Sequence, residues 1–426
     1  MVDKKRIAIT GLGFITPIGN SRQDVIQSLK QSRSGIKKCE LFDDPKIPIS
    51  LAGLVEGFSF PSISYDEWTF PEGVSFRRDQ LRSMAPNIVF GHLSMQQAIE
   101  DAGLSEQEIS NPRTSLMAAS TGSQWMSHET LSRIDQRGVR TASPVCVCYS
   151  ISGSLNINLA ANFKIKGGML GFSSACASSA HAFGTASDLI ALGRQDRVFV
   201  VGAEEVSREA IVPFAAARAL SLKDDPEAYP CPFDSKRDGF IACEGGVTMV
   251  LENLNVAQAR GAKIYAEVLG WGQSSDGYNV VIPEPEGEGL ARAMQLALEE
   301  SAISSSEVDY INAHATSTLA GDEAEARAID RVFGQSGDAP YISSTKALTG
   351  HGLHLAGVME ASFGCLSIDE KFMPVSAKIT DLDPKFENLN IVREPSQVRP
   401  EVVMSSSSGF GGTNVSLVMR RYSPDS

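Results

Sequence analysis

A loose internal repeat constrains this chain more than any other feature. The segment KRIAITGLGFI (residues 5–15) has a counterpart in AKIYAEVLGWG (262–272). The amphipathic run AIEDAGLSEQEIS (98–110) has one in ALEESAISSSEVD (297–309). Each run leads into a short apolar strand pattern, TSLMAAS (114–120) and YINAHAT (310–316). Strand, helix and strand recur in the same order, which is the pattern of two similar α/β halves. The run ENLNVAQARGAK (252–263) reads as a helix closed by Gly261 and marks the change of half. The chain therefore divides into residues 1–258 and 259–426.

Composition excludes several function classes. The 426 residues, 42% hydrophobic and 21% charged, suffice for a large core. A net charge of −13 argues against nucleic acid as a partner. No apolar run reaches the roughly 18 residues needed to span a bilayer, and the start lacks the apolar stretch of a secretory signal. The expectation is a cytoplasmic protein without membrane contact. Seven cysteines (39, 146, 148, 176, 231, 243 and 365) are scattered, without a C-x-x-C pair. Reduced thiols and no metal site are expected. GLGFIT (11–16) holds two glycines of a dinucleotide fingerprint, but Thr16 stands where the third belongs, so it reads as a tight turn after a strand.

The segment 169–205 predicts a short strand into Ser173–Ser174, a helix from about Cys176 to Leu192 capped by Gly193, and a buried strand at 197–204. Cys176 then stands at a helix N-terminus, where partial positive charge and free N–H groups favour the thiolate. Its small neighbours Ser174, Ala175, Ala177 and Ser178 leave room for a substrate. Two histidines lie at strand-to-loop edges of the second half. His314, in YINAHATSTLAGDEAE (310–325), has Thr316 and Thr318 beside it. His351, in SSTKALTGHGLHLAG (343–357), follows Lys346 and precedes a helix carrying Glu360. SSSGFGGTNVSLVM (406–419) is a glycine-rich turn before a final strand. A candidate nucleophile in one half and two imidazoles in the other are best explained as one site. His92, His128 and His181 lack such settings and read as structural or surface residues. His181 is five positions beyond Cys176, off its helix face.

At these residues the chain resembles the β-ketoacyl-acyl-carrier-protein synthases, condensing enzymes of the thiolase superfamily, and the elongating synthases I and II above all. ITGLGFITPIGN (9–20), SSACASSAH (173–181), ARALS (217–221), FDSKRDGF (233–240), NAHATST (312–318), STKALTGH (344–351) and GFGGTN (409–414) follow one another nearly end to end. The resemblance implies a five-layered αβαβα thiolase-like fold of two pseudo-duplicated halves. It implies an acyltransferase that condenses malonyl with an acyl group held on Cys176, with both substrates on the phosphopantetheine of acyl carrier protein. No metal or redox cofactor is then needed. His314 and His351 match the histidines that act on malonyl, Lys346 and Glu360 the site's lysine and helix carboxylate, Thr316 and Thr318 the pantetheine contacts. Phe410 matches the gate residue, whose N–H forms the oxyanion hole with that of Cys176.

It further implies a dimer, either a homodimer or a heterodimer with a chain-length-factor-like homologue, with strand 197–204 as the dimer edge. An acidic carrier protein calls for a basic patch, and Arg77, Arg78 and Arg82 are candidates by charge. Gly122 aligns with the position that limits chain length, with Trp125 able to refill the space. The chain departs from the family pattern at Ala315, at His354 and Leu355, at Ser408 in place of a gating-loop Phe, and at Cys243, read as packing. Ser408 and His354 tilt the expectation toward a specialised polyketide or polyene pathway over housekeeping fatty-acid elongation. A non-catalytic partner subunit is disfavoured by the intact Cys176, His314 and His351. A hydrolase is disfavoured by the lack of a nucleophile elbow, and a thiolase by the lack of a second cysteine in 406–414.

Overall fold

The computed structural model describes residues 4–229, 231–334 and 339–424. Five strands of the first half, β1 (Ile7–Ile15), β2 (Thr114–Ala119), β3 (Met169–Phe172), β4 (Arg197–Glu204) and β5 (Gly245–Asn253), lie in the order β3-β2-β4-β5-β1. Five of the second, β6 (Ala266–Ser275), β7 (Tyr310–Asn312), β8 (Tyr341–Ser343), β9 (Val402–Gly409) and β10 (Thr413–Arg420), lie in the order β8-β7-β9-β10-β6. Counted within its own half, each set reads 3-2-4-5-1. The pairing directions also agree: β2 is parallel to β3 and β4, and β7 to β8 and β9. The remaining pairs in each set are antiparallel. Ile7–Ile9 meet Ala266–Val268 antiparallel and join the two sets.

Helices supply the other layers. α1 (Pro86–Ala102) covers β1, β4 and β5 on one outer face, and α3 (Glu288–Ser301) covers β6 and β10 on the other, with α4 (Leu319–Phe333) alongside it. α2 (Ser178–Ala191) and α5 (Ala356–Glu370) pack on each other and touch strands of both halves. In α5 every residue from Ala356 to Ile368 is buried, as a helix sandwiched between two sheets requires. The result is the thiolase-like αβαβα arrangement that the resemblance implied.

The glycines of the repeat have a packing cause. A Cβ on Gly13 of β1 would lie 1.9 Å from the Ser94 carbonyl oxygen of α1, and one on Gly272 of β6 would lie 2.1 Å from that of Ala293 in α3. Each glycine lets the outer helix close onto its sheet at the same place in its half. GLGFIT is therefore not a turn: β1 runs through it to Ile15, with a bulge between Ile9 and Gly11.

Two further expectations are corrected here. Strand β4 is paired on both sides, by β5 and β2, so residues 197–204 are not an edge. Their full burial, read as a mark of a central strand, has that cause. The free edge of this half is β3, where Met169 and Leu170 are 41% and 50% exposed. The helix after β3 starts at Ser178, capped by Ala177, so Cys176 lies in the turn before it rather than in its first residue. No helix among the described residues is long and apolar enough to cross a membrane.

Candidate active site

Cys176, His314 and His351 all come from turns or loops, each held by hydrogen bonds. Ahead of Cys176, Ala175 has φ 49°, a left-handed conformation that costs a non-glycine residue about 1–2 kcal/mol. Ser178 clamps this turn: its Oγ accepts the Ser174 N–H at 2.7 Å and donates to the Ala175 carbonyl at 2.6 Å. His314 follows β7 by two residues. The N–H groups of His314 and Ala315 donate to the Glu325 carboxylate at 2.8 and 2.6 Å, and those of Thr316 and Ser317 to Asp322 at 2.9 and 3.1 Å. Both carboxylates belong to α4, so that helix shapes the histidine loop. The His351 N–H donates to the Ile241 carbonyl at 2.7 Å, and its own carbonyl accepts the Cys243 N–H at 3.0 Å. His351 thereby hangs on the first half although the second half carries it.

These turns converge. Cys176 Sγ and one ring nitrogen each of His314 and His351 lie within 4.8 Å of one another. The two imidazoles meet edge to face, centroids 5.2 Å apart at 84°, and Phe240 stands against His351 at 5.2 Å and 88°. All three groups line a cavity of about 310 Å³, together with Thr316, Thr318 and Phe410. The two threonine hydroxyls are 3.1 Å apart. The Phe410 ring packs on Phe214, centroids 5.7 Å apart. Lys346 and Glu360 do not line the cavity. They form a buried ion pair behind it, and Lys346 borders a recess shared with His351 and Thr316. Gly122 and Trp125 are not among the cavity's lining residues.

Electrostatics corrects one expectation. Burial pushes the Cys176 thiol up to about 12, and the nearby Lys346 charge only partly opposes it. The desolvation at this turn, which precedes its helix, opposes the thiolate that a helix N-terminus would favour. Burial, reinforced by the Lys346 cation, holds His314 and His351 well below the ordinary imidazole range, so both rings are neutral. Glu325, beneath the His314 loop, is raised to about 7 by burial. A thiol and two imidazoles at this spacing would suit a zinc-type ion by ligand type, but the adjacent Lys346 charge works against a dication.

The family departures also find their places. Ser408 Oγ donates to Asn414 Oδ1 at 2.8 Å, and Asn414 Nδ2 donates to Asp276 at 2.7 Å, tying the 409–412 turn to the segment after β6. His354 is buried with Nδ1 3.0 Å from Glu204. Ala315 and Cys243 are buried. Of the three candidate arginines, Arg77 pairs with Asp79 and Arg78 with Asp66, all exposed; Arg82 borders a separate pocket. His92 packs on Phe76 and Phe163, and His128 faces Glu209 at 3.2 Å. His181 stays off the cavity, but its Nδ1 lies 2.9 Å from Ser174 Oγ. Reading the sequence missed Glu325, Asp322, Phe214 and Phe240. The acidic run at 322–325 was the available signal, since carboxylates near a helix start commonly collect loop N–H groups.

Known proteins match this chain end to end. The family model "Beta-ketoacyl synthase, N-terminal domain" matches residues 4–257, and "Beta-ketoacyl synthase, C-terminal domain" matches 265–380. 3-oxoacyl-[acyl-carrier-protein] synthase 1 of Haemophilus influenzae is 42% identical over 426 residues, covering 98% of this chain and 99% of that protein. A β-ketoacyl synthase from Burkholderia phymatum superposes with a TM-score of 0.90 at 32% identity, over 98% of this chain and 100% of that one. A type II polyketide ketosynthase solved with its acyl-carrier protein and bound to a hexaketide superposes with a TM-score of 0.88 at 26% identity, over 98% and 100%. With this fold and this convergence of thiol and imidazoles, the chain belongs to the β-ketoacyl synthase family, acyl-condensing enzymes of the thiolase fold.

Proposed function

We propose that this chain is a 3-oxoacyl-acyl-carrier-protein synthase in which residues 1–258 supply the nucleophile Cys176 and residues 259–426 supply the imidazoles of His314 and His351. The observation that carries this reading is the meeting of these three groups within 4.8 Å in one cavity. In the first step Cys176 sulfur attacks the carbonyl of an acyl thioester. The thiol is neutral at rest, so its proton must leave as the C–S bond forms, and a neutral imidazole is the acceptor at hand. That proton goes on to the departing pantetheine sulfur. The acyl group now sits on Cys176 and the carrier leaves as a free thiol.

In the second step malonyl on another carrier enters. Its carboxylate carbon bond breaks, CO2 departs, and the electron pair moves onto the thioester oxygen. Neutral His314 and His351 are N–H donors to that oxygen, and a placed donor of this kind contributes about 3–4 kcal/mol. The enolate carbon then attacks the acyl carbonyl, aided by the backbone N–H groups of Cys176 and Phe410. The C–S bond breaks, Cys176 leaves as a thiolate, and one proton taken up from solvent restores its thiol. Thioesters supply both leaving groups, so no redox or metal group is required.

Lys346, paired with Glu360, acts on the imidazoles by its charge. Thr316 and Thr318 present hydroxyls to the pantetheine amides, and Phe410 gates the acyl side. The partners are acyl carrier protein, approached by way of Arg77, Arg78 and Arg82, and a second subunit, either a copy of this chain or a chain-length-factor-like homologue. Ser408 and His354 favour a specialised polyketide or polyene chain, and saturated fatty-acid elongation is the alternative. The test is mass spectrometry after incubation with acyl and malonyl carriers. An acyl adduct on Cys176 followed by a product two carbons longer is expected; hydrolysis without extension overturns the reading. Equal use of saturated and polyunsaturated acyl groups removes the preference for a specialised chain.

A further inference from the structure

Cys176 occupies a turn under local strain. Ala175 is left-handed, and the gate turn lies close against it: a Cβ on Gly409 would stand 2.9 Å from the Cys176 nitrogen and 3.0 Å from Ala175 Cβ, so only glycine fits there. Ser178 secures the turn from within. A second hold comes from outside it. Ser174 Oγ meets His181 Nδ1 at 2.9 Å, two residues before the sulfur. The His181 ring stands edge-on to Trp271, centroids 6.3 Å apart at 86°, with the Gln273 side chain in hydrogen-bonding reach. Trp271 and Gln273 belong to β6, and Trp271 is itself held by Asp188 of α2 at 3.1 Å. His181 thus ties the nucleophile turn of the first half to the leading strand of the second. At this distance Ser174 Oγ and His181 Nδ1 share one hydrogen bond, in which the hydroxyl donates when Nδ1 carries no proton.

We propose that His181 is a positioning residue for Cys176, acting through Ser174 to hold the sulfur at the distance from the two imidazoles that acyl transfer needs. The proposal rests on the reading of Cys176 as acyl acceptor. The test uses full-length His181→Phe, His181→Asn, Ser174→Ala and the His181→Phe/Ser174→Ala double variant. Four quantities are read: the rate of acyl appearance on Cys176, the rate of its alkylation by iodoacetamide, KM for the acyl carrier, and the melting temperature. His181→Phe and Ser174→Ala should each slow acylation about tenfold or more with KM unchanged. The double variant should be no slower than the slower single one, because both changes cut one linkage. His181→Asn, whose amide oxygen can accept the Ser174 hydroxyl, should recover part of the rate. Full-rate acylation in folded His181→Phe and Ser174→Ala overturns the proposal. So do losses that multiply in the double variant and are not recovered by Asn, since that is the behaviour of plain structural damage. A wild-type protein whose Cys176 alkylates but takes no acyl group overturns the acyl-acceptor reading first, and the proposal with it.

Discussion

The turn before α2 and the turn before α5 occupy the same place in the two halves, and they have been put to different uses. Ala175 and Leu353 both lie three residues ahead of their central helix, and both are left-handed, at φ 49° and φ 50°. The next residue is Cys176 in one half and His354 in the other. Cys176 faces the cavity. His354 turns the other way, to Glu204 at the end of β4, and lines no part of that cavity. The second half instead brings His351 forward from three residues earlier, in a loop anchored to the first half through Ile241 and Cys243. Duplication supplied the strained turn twice. The residue that follows it faces the cavity in one copy and a buried carboxylate in the other.

The largest expected effect breaks this comparison outright. Cys176→Ala removes the only acyl acceptor in the proposed scheme, so condensation should fall by at least about 10³-fold, and no acyl adduct should appear by intact mass. Decarboxylation of malonyl should continue, because its machinery lies in the other half. His354→Ala, the matching change in the second half, should leave condensation within about tenfold. It should instead lower stability by about 1–3 kcal/mol in a denaturant titration, since Glu204 loses one buried partner. If the two variants lose activity alike, the division of labour between the turns is wrong.

Next in size are the imidazoles. His314→Ala and His351→Ala each delete one N–H donor to the enolate and should each cost about 10²–10³ in malonyl decarboxylation. Either variant retains one ring to take the thiol proton, so the adduct on Cys176 should still form. Loss of the adduct in both would place these rings on the acylation step alone.

Lys346→Met tests why the second half stays chargeless where it meets substrate. It leaves Glu360 buried without its cation, which costs about 3–5 kcal/mol where a buried pair is broken from one side. The sign of the pH effect follows from the shifts. Burial and the Lys346 charge hold both imidazoles below the ordinary value near 6.5, so the wild-type rate should stay flat through pH 6.5 and fall only at lower pH. Without Lys346 the rings protonate more easily, and the acid limb should move up toward 6.5. An unmoved limb in a folded variant would show that Lys346 does not act on them by charge.

The repeat and the spacing of Cys176, His314 and His351 were legible because they are local patterns. The repeat aligns Gly13 with Gly270, two residues short of Gly272, its counterpart against the outer helix, and each reactive residue sits beside a turn. What stayed hidden depends on neighbours far along the chain. The apolar run 197–204 did name an inner strand, but the dimer edge that the resemblance placed there failed because β2 and β5 pair it on both sides. The thiol's elevation to about 12 comes from desolvation by residues far along the chain, which outweighs the field of a helix that begins two residues later. Glu325 and Asp322 were visible as an acidic run, but not as the clamp on a loop that precedes them. His181 was judged by its face of the helix, and its contact with Ser174 crosses back over the turn instead.

The smallest predicted effect concerns Ser408, where the gate turn departs from the family pattern. Its hydroxyl donates to Asn414, Asn414 donates to Asp276, and Asp276 accepts the Glu284 N–H at 3.0 Å. This chain of bonds joins the turn that carries Phe410 to the segment bearing Val281 and Ile282, which line the cavity mouth. A phenylalanine at 408 would hold the turn by packing and could not donate. Serine holds it by one hydrogen bond, worth about 1 kcal/mol net. Ser408→Ala should therefore loosen the gate by that amount. A change of about fivefold in the acyl transfer rate is expected, with Cys176 alkylation by a small reagent unchanged. Ser408→Phe should restore a tightly packed turn at the expense of the link to Asn414. If Ala and Phe both transfer acyl groups at the wild-type rate, the gate turn is held without Ser408 by its remaining bonds, Asp276 N–H to Gly412 and Gly411 N–H to Val280 among them, and the second half needs no side chain at 408 to close over the first half's sulfur.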